Sequence, residues 1–203
     1  MCSAPEIQAE NHWFDLGIRA VSFPLSPFPF FMPMQLFLVV LGGRIDGCHI
    51  EQHDVRFVVG ASIEDTLPQL RQQWFGRRRG LHIDSWLAVR AVSGWRVELR
   101  QGPSAGPERL WFVNRGGYDP SQLAEQHAFG LVVATSAQAA KARARSLPVP
   151  GGVQPHTDDL HAIDDCLPIT LLEGWHVHLI ADGAAPAQPL VPDWFGYRRI
   201  DRG

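Results

Sequence analysis

The distribution of apolar residues predicts short β-strands near the start of each half of the chain. Residues 36–41 form a continuous apolar run that ends at two glycines, as expected for a strand buried on both faces. Alternate apolar positions follow, and these are held by Val55, Phe57 and Val59. This alternation is typical of a second strand with one buried face.

The apolar spacing then changes to three and four residues, which predicts a helix. Ser62 is a candidate N-cap, and one helical stripe is formed by Ile63, Leu67, Leu70 and Trp74. Pro68 interrupts this stripe. Either the helix bends there, or its regular part begins near Thr66, because proline is tolerated in a first turn.

A strongly alternating strand is predicted near the end of each half. In the first half the inward side chains are those of Trp95, Val97 and Leu99, and in the second half they are those of Trp175, Val177 and Leu179. The same alternation assigns His176 and His178 to the outward face.

The chain contains an internal duplication with an offset of 74 residues. Residues 36–62 and 110–136 share ten identities in 27 ungapped positions, including a Glu-Gln-His tripeptide at 51–53 and 125–127. The same offset relates His82 and Asp84 to His156 and Asp158. After six extra residues in the second copy, the Gly-Trp pair at 94–95 recurs at 174–175.

The duplication predicts an α+β protein made of two tandem copies of a small strand-strand-helix-strand-strand unit. Each copy alone is too small to bury much apolar surface, so we expect the two to pack as a pseudo-dimer. The predicted boundaries are a leader at 1–33, a first repeat at 34–100, a linker at 101–107, a second repeat at 108–182 and a C-terminal tail at 183–203 that packs on the core.

Residues 1–33 are predicted to be a disordered leader. The apolar part of this segment contains Pro24, Pro27, Pro29 and Pro33, and these prevent a continuous membrane-spanning helix. The segment also lacks the features of a signal peptide. Met34 directly precedes the first strand, so we interpret it as the biological start and expect no membrane association.

Charge and cysteine content exclude several classes of protein. The formal net charge is −3, which gives no electrostatic footprint for nucleic acid. Three cysteines without a C-x-x-C pair indicate neither a disulfide framework nor a cysteine-rich zinc site. We therefore expect a cytoplasmic protein whose partner is a small molecule or another protein.

The repeated polar residues are the candidate ligand-binding positions. They are Glu51, His53, His82 and Asp84 in the first copy, and Glu125, His127, His156 and Asp158 in the second. A carboxylate and an imidazole two residues apart on a strand point to the same side, so they can bind a metal or move a proton. The alternative is a structural network that hydrogen-bonds to loop backbones, and recurrence does not decide between the two. No cofactor is required by the sequence, a divalent metal stays open, and no catalytic residue is assigned.

The repeated strings IEQHDVRFVVG and AEQHAFGLVVA, with GWRVEL and GWHVHL, resemble an uncharacterised bacterial domain-of-unknown-function family, number 1543 in that series. The resemblance covers residues 34 to about 200. It implies one or two tandem copies per chain and no assigned activity.

Two functions are consistent with this sequence. The first is a non-catalytic binding or regulatory pseudo-dimer with a concave site between its copies. The second is a hydrolase-like enzyme, dependent on a metal or on acid/base chemistry, that uses the repeated Glu-x-His and His-x-Asp residues.

Overall fold

The computed structural model describes residues 33–118, 120–145, 154–155, 165–183 and 189–202. The predicted leader at 1–33 therefore lies outside the described residues except for its last position. The first copy contains β1 (Gln35–Gly43), β2 (Gln52–Gly60), a 3₁₀ turn (Glu64–Thr66), α1 (Leu67–Gln73), β3 (His82–Ala88), β4 (Ala91–Val92) and β5 (Trp95–Arg100). The second copy and the tail contain β6 (Arg109–Tyr118), β7 (Gln126–Ala134), α2 (Ala137–Ala144), β8 (Gln154–Pro155), β9 (Asp165–Ile169), β10 (Leu171–Leu172), β11 (Trp175–Ala181) and β12 (Trp194–Arg199).

The described strands form three antiparallel sheets. Sheet 1 has the order β12-β3-β1-β2, and sheet 2 has the order β10-β11-β5-β4. In sheet 3, β6 pairs with β7 on one side and with β8 and β9 on the other. Sheets 1 and 3 are thus built from one copy each, apart from the tail strand β12, whereas sheet 2 joins the last strands of both copies.

Strand β1 is buried on both faces, as its continuous apolar run predicts. One face of β1 contributes Leu36 and Leu38 to a core shared with sheets 2 and 3, which also includes Leu110 and Val177. The opposite face packs against α1 through a second core that contains Phe37, Val39, Leu41, Leu70 and Trp74. The strand also continues through Gly43, whereas the sequence predicted that it ends before the two glycines.

Both helices are short. Helix α1 has a proline in its first turn, and helix α2 begins after a capping serine. The regular part of α1 begins at Leu67 after the 3₁₀ turn, with Thr66 as N-cap and Pro68 in the first turn. Ser62 is not the N-cap of α1, and its hydroxyl instead donates to Asp65 in the 3₁₀ turn. In the second copy, the Ser136 side chain caps α2 by accepting the backbone N–H of Ala139 at 3.2 Å.

Sheet 2 connects the two copies through the pair β5 and β11. Glu98 lies opposite His178, and these two residues occupy the same place in their copies because the Gly-Trp pairs are 80 residues apart. Trp95 and Trp175 are half-buried rather than fully buried, and both pack on the shared core. The face that contains Val177 is therefore the inward face, and His178 on the other face contacts the Gly102 carbonyl at 3.0 Å.

The C-terminal tail returns to the first copy and adds β12 to the edge of sheet 1. Ile200, directly after β12, is 2% exposed and belongs to the core beneath α1. The Arg71 guanidinium on α1 donates to the Ile200 carbonyl at 2.8 Å. The tail is therefore fixed both by strand pairing and by burial of an apolar side chain.

The fold is mostly antiparallel sheet, with helices of seven and eight residues. In the first copy, the two-residue strand β4 adds to the predicted order of strand, strand, helix, strand and strand. Across the part of the chain that is described, no helix combines the length and apolar character needed to span a bilayer.

Candidate functional site

Two histidines of the first copy lie on either side of a glycine at the end of sheet 1. Gly42 on the central strand β1 pairs with His53 of β2 and with His82 of β3. A Cβ atom on Gly42 would lie 2.8 Å from Cε1 of His82 and 3.0 Å from Cδ2 of His53. Glycine is required here because the two imidazoles occupy the space above its backbone, not because of a positive φ.

Asp84 lies on the same face of sheet 1 as His82 and is part of a bulge in β3. In the pairing of β1 with β3, Val40 lies opposite Ser85 and Leu41 lies opposite Ile83, so Asp84 is the extra residue. Residues two apart on a strand point to the same face, so alternation from His82 already places Asp84 beside it, and the bulge changes the face only of the residues that follow. The carboxylate of Asp84 consequently points toward the two imidazoles.

Four polar side chains of the first copy converge at this point. The Nε2 atom of His53 lies 3.1 Å from Oδ2 of Asp84 and 3.7 Å from Oε1 of Glu51. The Nε2 atom of His82 lies 3.2 Å from Oδ1 of Asp84. We call these four residues, Glu51, His53, His82 and Asp84, the copy-one cluster.

The two histidines of the cluster differ in their exposure to solvent. The side chain of His82 is 1% exposed, whereas that of His53 is 48% exposed. The ring of Tyr197 on β12 covers His82, with ring centroids 4.2 Å apart and an interplanar angle of 36°. The cluster is therefore closed on the tail side and open on the side of His53.

A second layer of hydrogen bonds holds the His82 ring. Nδ1 of His82 lies 2.8 Å from the carbonyl oxygen of Gly80, and the Gly80 N–H donates to Oδ2 of Asp201 at 3.0 Å. The Arg199 guanidinium beside Asp201, together with this Gly80 N–H, lowers the pKa of that carboxyl to about 2. Asp201 is thus ionised at neutral pH and connects the tail to the residue that orients His82.

The second copy repeats the Glu-x-His part of this arrangement. Gly116 pairs with His127 as Gly42 pairs with His53, and Nε2 of His127 lies 3.7 Å from Oε2 of Glu125. His156 and Asp158, the other two predicted residues of this copy, lie outside the described residues.

A cavity of about 300 Å³ lies between sheets 1 and 3. Its walls include Val40, His53, Val55, Phe112, His127 and Phe129. The two histidines belong to equivalent positions of the repeat, so the cavity lies between corresponding faces of the copies. We call this cavity the inter-copy groove.

A larger cavity of about 450 Å³ lies on the other face of sheet 1. Its walls include Phe37, Trp86 and Trp194, together with Arg198, whose guanidinium pairs with Glu64 at 3.0 Å. It contains none of the candidate ligand-binding residues. We therefore place the candidate site at the copy-one cluster and the inter-copy groove.

Gly42, Tyr197 and Asp201 contribute to the site but were not among the sequence candidates. Gly42 recurs as Gly116, which is the one signal in the sequence that could have identified it. The other two lie in the tail, which has no counterpart after the first copy.

Comparisons with known proteins agree with this two-copy organisation. The family model described as Domain of Unknown Function (DUF1543) matches residues 48–99 and 122–178. A crystal structure of the protein Il1583 from Idiomarina loihiensis is 40% identical in sequence, with a TM-score of 0.65, over 84% of this chain and 99% of that one. The search of curated proteins found no match. The two matched segments together span more than half of the chain, which therefore belongs to the DUF1543 family as a member with two tandem copies.

Proposed function

We propose that this protein is a binding protein, a pseudo-dimer of two α+β copies that holds a small ligand in the inter-copy groove. The observation that carries the proposal is that His53 and His127, which are equivalent in the duplication, line the same cavity. The pairing of Glu98 with His178 in sheet 2 supports a local two-fold relation between the copies.

The groove has the composition of a small-molecule site. Such sites combine apolar and aromatic walls with a few polar groups that fix orientation. Here the aromatic walls are Phe112 and Phe129, whose ring centroids are 5.9 Å apart, and the polar groups include two imidazoles. The groove therefore suits a small aromatic molecule with one hydrogen-bonding group.

Ligand-detected NMR with benzoate, benzamide and phenol tests this proposal, since the three probes share a ring and differ in the polar group. We expect saturable binding of at least one probe, weakened about tenfold or more by Phe129→Ala. Phe195→Ala is the matched control because Phe195 is an exposed aromatic residue on β12, away from the groove. Failure of all three probes to bind, or equal binding to both variants, would contradict the proposal.

A second candidate function is metal- or acid/base-dependent hydrolysis. It is favoured by the position of the His53 Nε2 atom, which has two carboxylates within 3.7 Å. Chromogenic carboxylic and phosphoric esters are suitable probes, and a rate above background that falls in His53→Ala is the expected result. A rate that is equal in wild type and variant would count against this candidate.

We also propose a cytoplasmic location. It is supported by Cys48 and Cys166, whose thiols are free in the structure, because free thiols persist in a reducing compartment.

A further inference from the structure

Both histidines of the copy-one cluster direct Nε2 at the same carboxylate. Nδ1 of His82 faces the Gly80 carbonyl oxygen, which can only accept, so Nε2 is the nitrogen that faces the cluster. Nε2 of His82 lies 3.2 Å from Oδ1 of Asp84, and Nε2 of His53 lies 3.1 Å from Oδ2.

One metal ion would bind both imidazoles, because each presents Nε2 to the same carboxylate. The side chain of His82 is 1% exposed, so its Nε2 is directed into the cluster and away from solvent.

The donor atoms of the cluster are close enough together to bind one small cation. In a tetrahedral site with metal–ligand bonds of about 2.0–2.1 Å, neighbouring donor atoms are about 3.3–3.4 Å apart. The three nitrogen–oxygen distances in the cluster are 3.1, 3.2 and 3.7 Å. The donor atoms of Glu51, His53 and His82 also lie within 4.8 Å of one another.

We propose that Glu51, His53, His82 and Asp84 bind one divalent transition-metal ion, with zinc as the ion that best fits the donors. Imidazole nitrogen and carboxylate oxygen are both zinc ligands, whereas calcium and magnesium prefer oxygen alone. Glu51 and His53 are the exposed members, so an ion would enter from the side of the groove.

The hydrogen bonds around the cluster are of the kind that orient metal-binding histidines in other proteins. A histidine that binds a metal usually donates its other nitrogen to a carbonyl or carboxylate, which fixes the ring, and Gly80 accepts from Nδ1 of His82 in this way. Gly42 has no side chain, so both rings pack directly over its backbone. Backbone pairing of β1 with β2 and β3 holds both histidines in place without the ion.

This inference does not depend on the groove ligand proposed above. Its probe is the metal ion alone, with no organic ligand present. A protein that binds zinc but none of the aromatic probes would support the metal site and contradict the groove proposal, and the reverse result would do the opposite.

The test is calorimetric titration of Zn²⁺ into metal-free protein that carries His127→Ala. This background removes the equivalent histidine, so a bound ion can be assigned to the first copy. We expect one equivalent to bind, and we expect both His53→Ala and Asp84→Asn to weaken binding by roughly 100-fold or more. Loss of an outer-shell partner alone typically weakens binding 10–100-fold, and these residues are direct ligands.

His49→Ala is the matched control, because it removes another exposed histidine that lies outside the cluster. It should bind zinc as tightly as the background protein. Circular dichroism of each variant establishes that the sheets are intact. The visible absorption of bound Co²⁺ provides a second readout, which should show tetrahedral coordination that disappears in His53→Ala.

Three outcomes would overturn the metal site. They are no stoichiometric binding to folded background protein, equal binding in folded His53→Ala, and equal loss of binding in His49→Ala. The first outcome would leave the contacts of both histidines with Asp84 as the structural explanation of the cluster.

Discussion

Gly42 and His82 face each other across β1 and β3, and a side chain on Gly42 would overlap the His82 imidazole. The glycine thereby allows two histidines on the strands that flank β1 to come within reach of one carboxylate. The same glycine recurs in the second copy as Gly116, which pairs with His127.

Substitution Gly42→Ala should destabilise the protein and disturb the copy-one cluster. The new methyl group would meet the His82 ring, which is buried and held by Gly80, so we expect a loss of about 1–3 kcal/mol in the free energy of unfolding. Urea denaturation measures this loss. Gly183→Ala is the control, because a Cβ there meets no atom within 4 Å, and an equal effect of both substitutions would contradict the steric explanation.

The ring of Tyr197 should change the NMR chemical shift of the His82 imidazole. The two rings overlap at a centroid distance of 4.2 Å, so the tyrosine ring current should shift the His82 Cε1 proton upfield. Tyr197→Ala should move this NMR resonance downfield, whereas Phe195→Ala, which removes another exposed ring from β12, should leave it in place. Identical His82 shifts in wild type and Tyr197→Ala would show that the tail does not cover the cluster in solution.

Asp201 should make the protein lose stability in acid. Its folded-state pKa of about 2 is below its ordinary value of 3.8, so its contribution is present above about pH 4 and is lost as the pH falls toward 2. The free energy of unfolding should therefore fall more steeply between pH 4 and pH 2 in wild type than in Asp201→Asn. The comparison protein is Glu173→Gln, which removes an exposed carboxyl from the turn before β11 and should retain the wild-type slope.

The sequence predicts the elements of the site better than their arrangement. Alternation along a strand is local, so the placement of Glu51 and His53 on one face follows from their spacing. The arrival of His82 beside His53 depends on the register of β1 with β3. That register changes at the Asp84 bulge, and no residue pattern in the sequence predicts this bulge.

The contacts of the tail are a second feature that the sequence does not predict, because they join residues far apart in the chain. Tyr197 and Asp201 are more than 100 residues from His82 and Gly80, and they meet only because β12 pairs with β3. The apolar and aromatic residues of the tail indicate that it packs on something. Which edge they meet depends on the strand edge that β3 offers to β12 in sheet 1.

The two copies should unfold as one cooperative unit, because they share a core. Leu110 on β6 is fully buried and packs in the cluster that contains Leu36 of β1 and Val177 of β11. We expect Leu110→Ala to lower the free energy of unfolding by about 2–5 kcal/mol. Leu171→Ala removes a 55% exposed leucine from β10 and should change it by less than about 0.5 kcal/mol.

Hydrogen exchange measures whether the loss of stability in Leu110→Ala extends to the first copy. In a single cooperative unit, the slowest amides of β1 and of β6 exchange through the same global unfolding, so Leu110→Ala should reduce their protection by equal amounts. The shared core and the pairing of β5 with β11 are the physical reasons for this coupling. Wild-type protection in β1 together with reduced protection in β6 would instead mean that each copy folds independently, and the inter-copy groove would then lack a fixed shape.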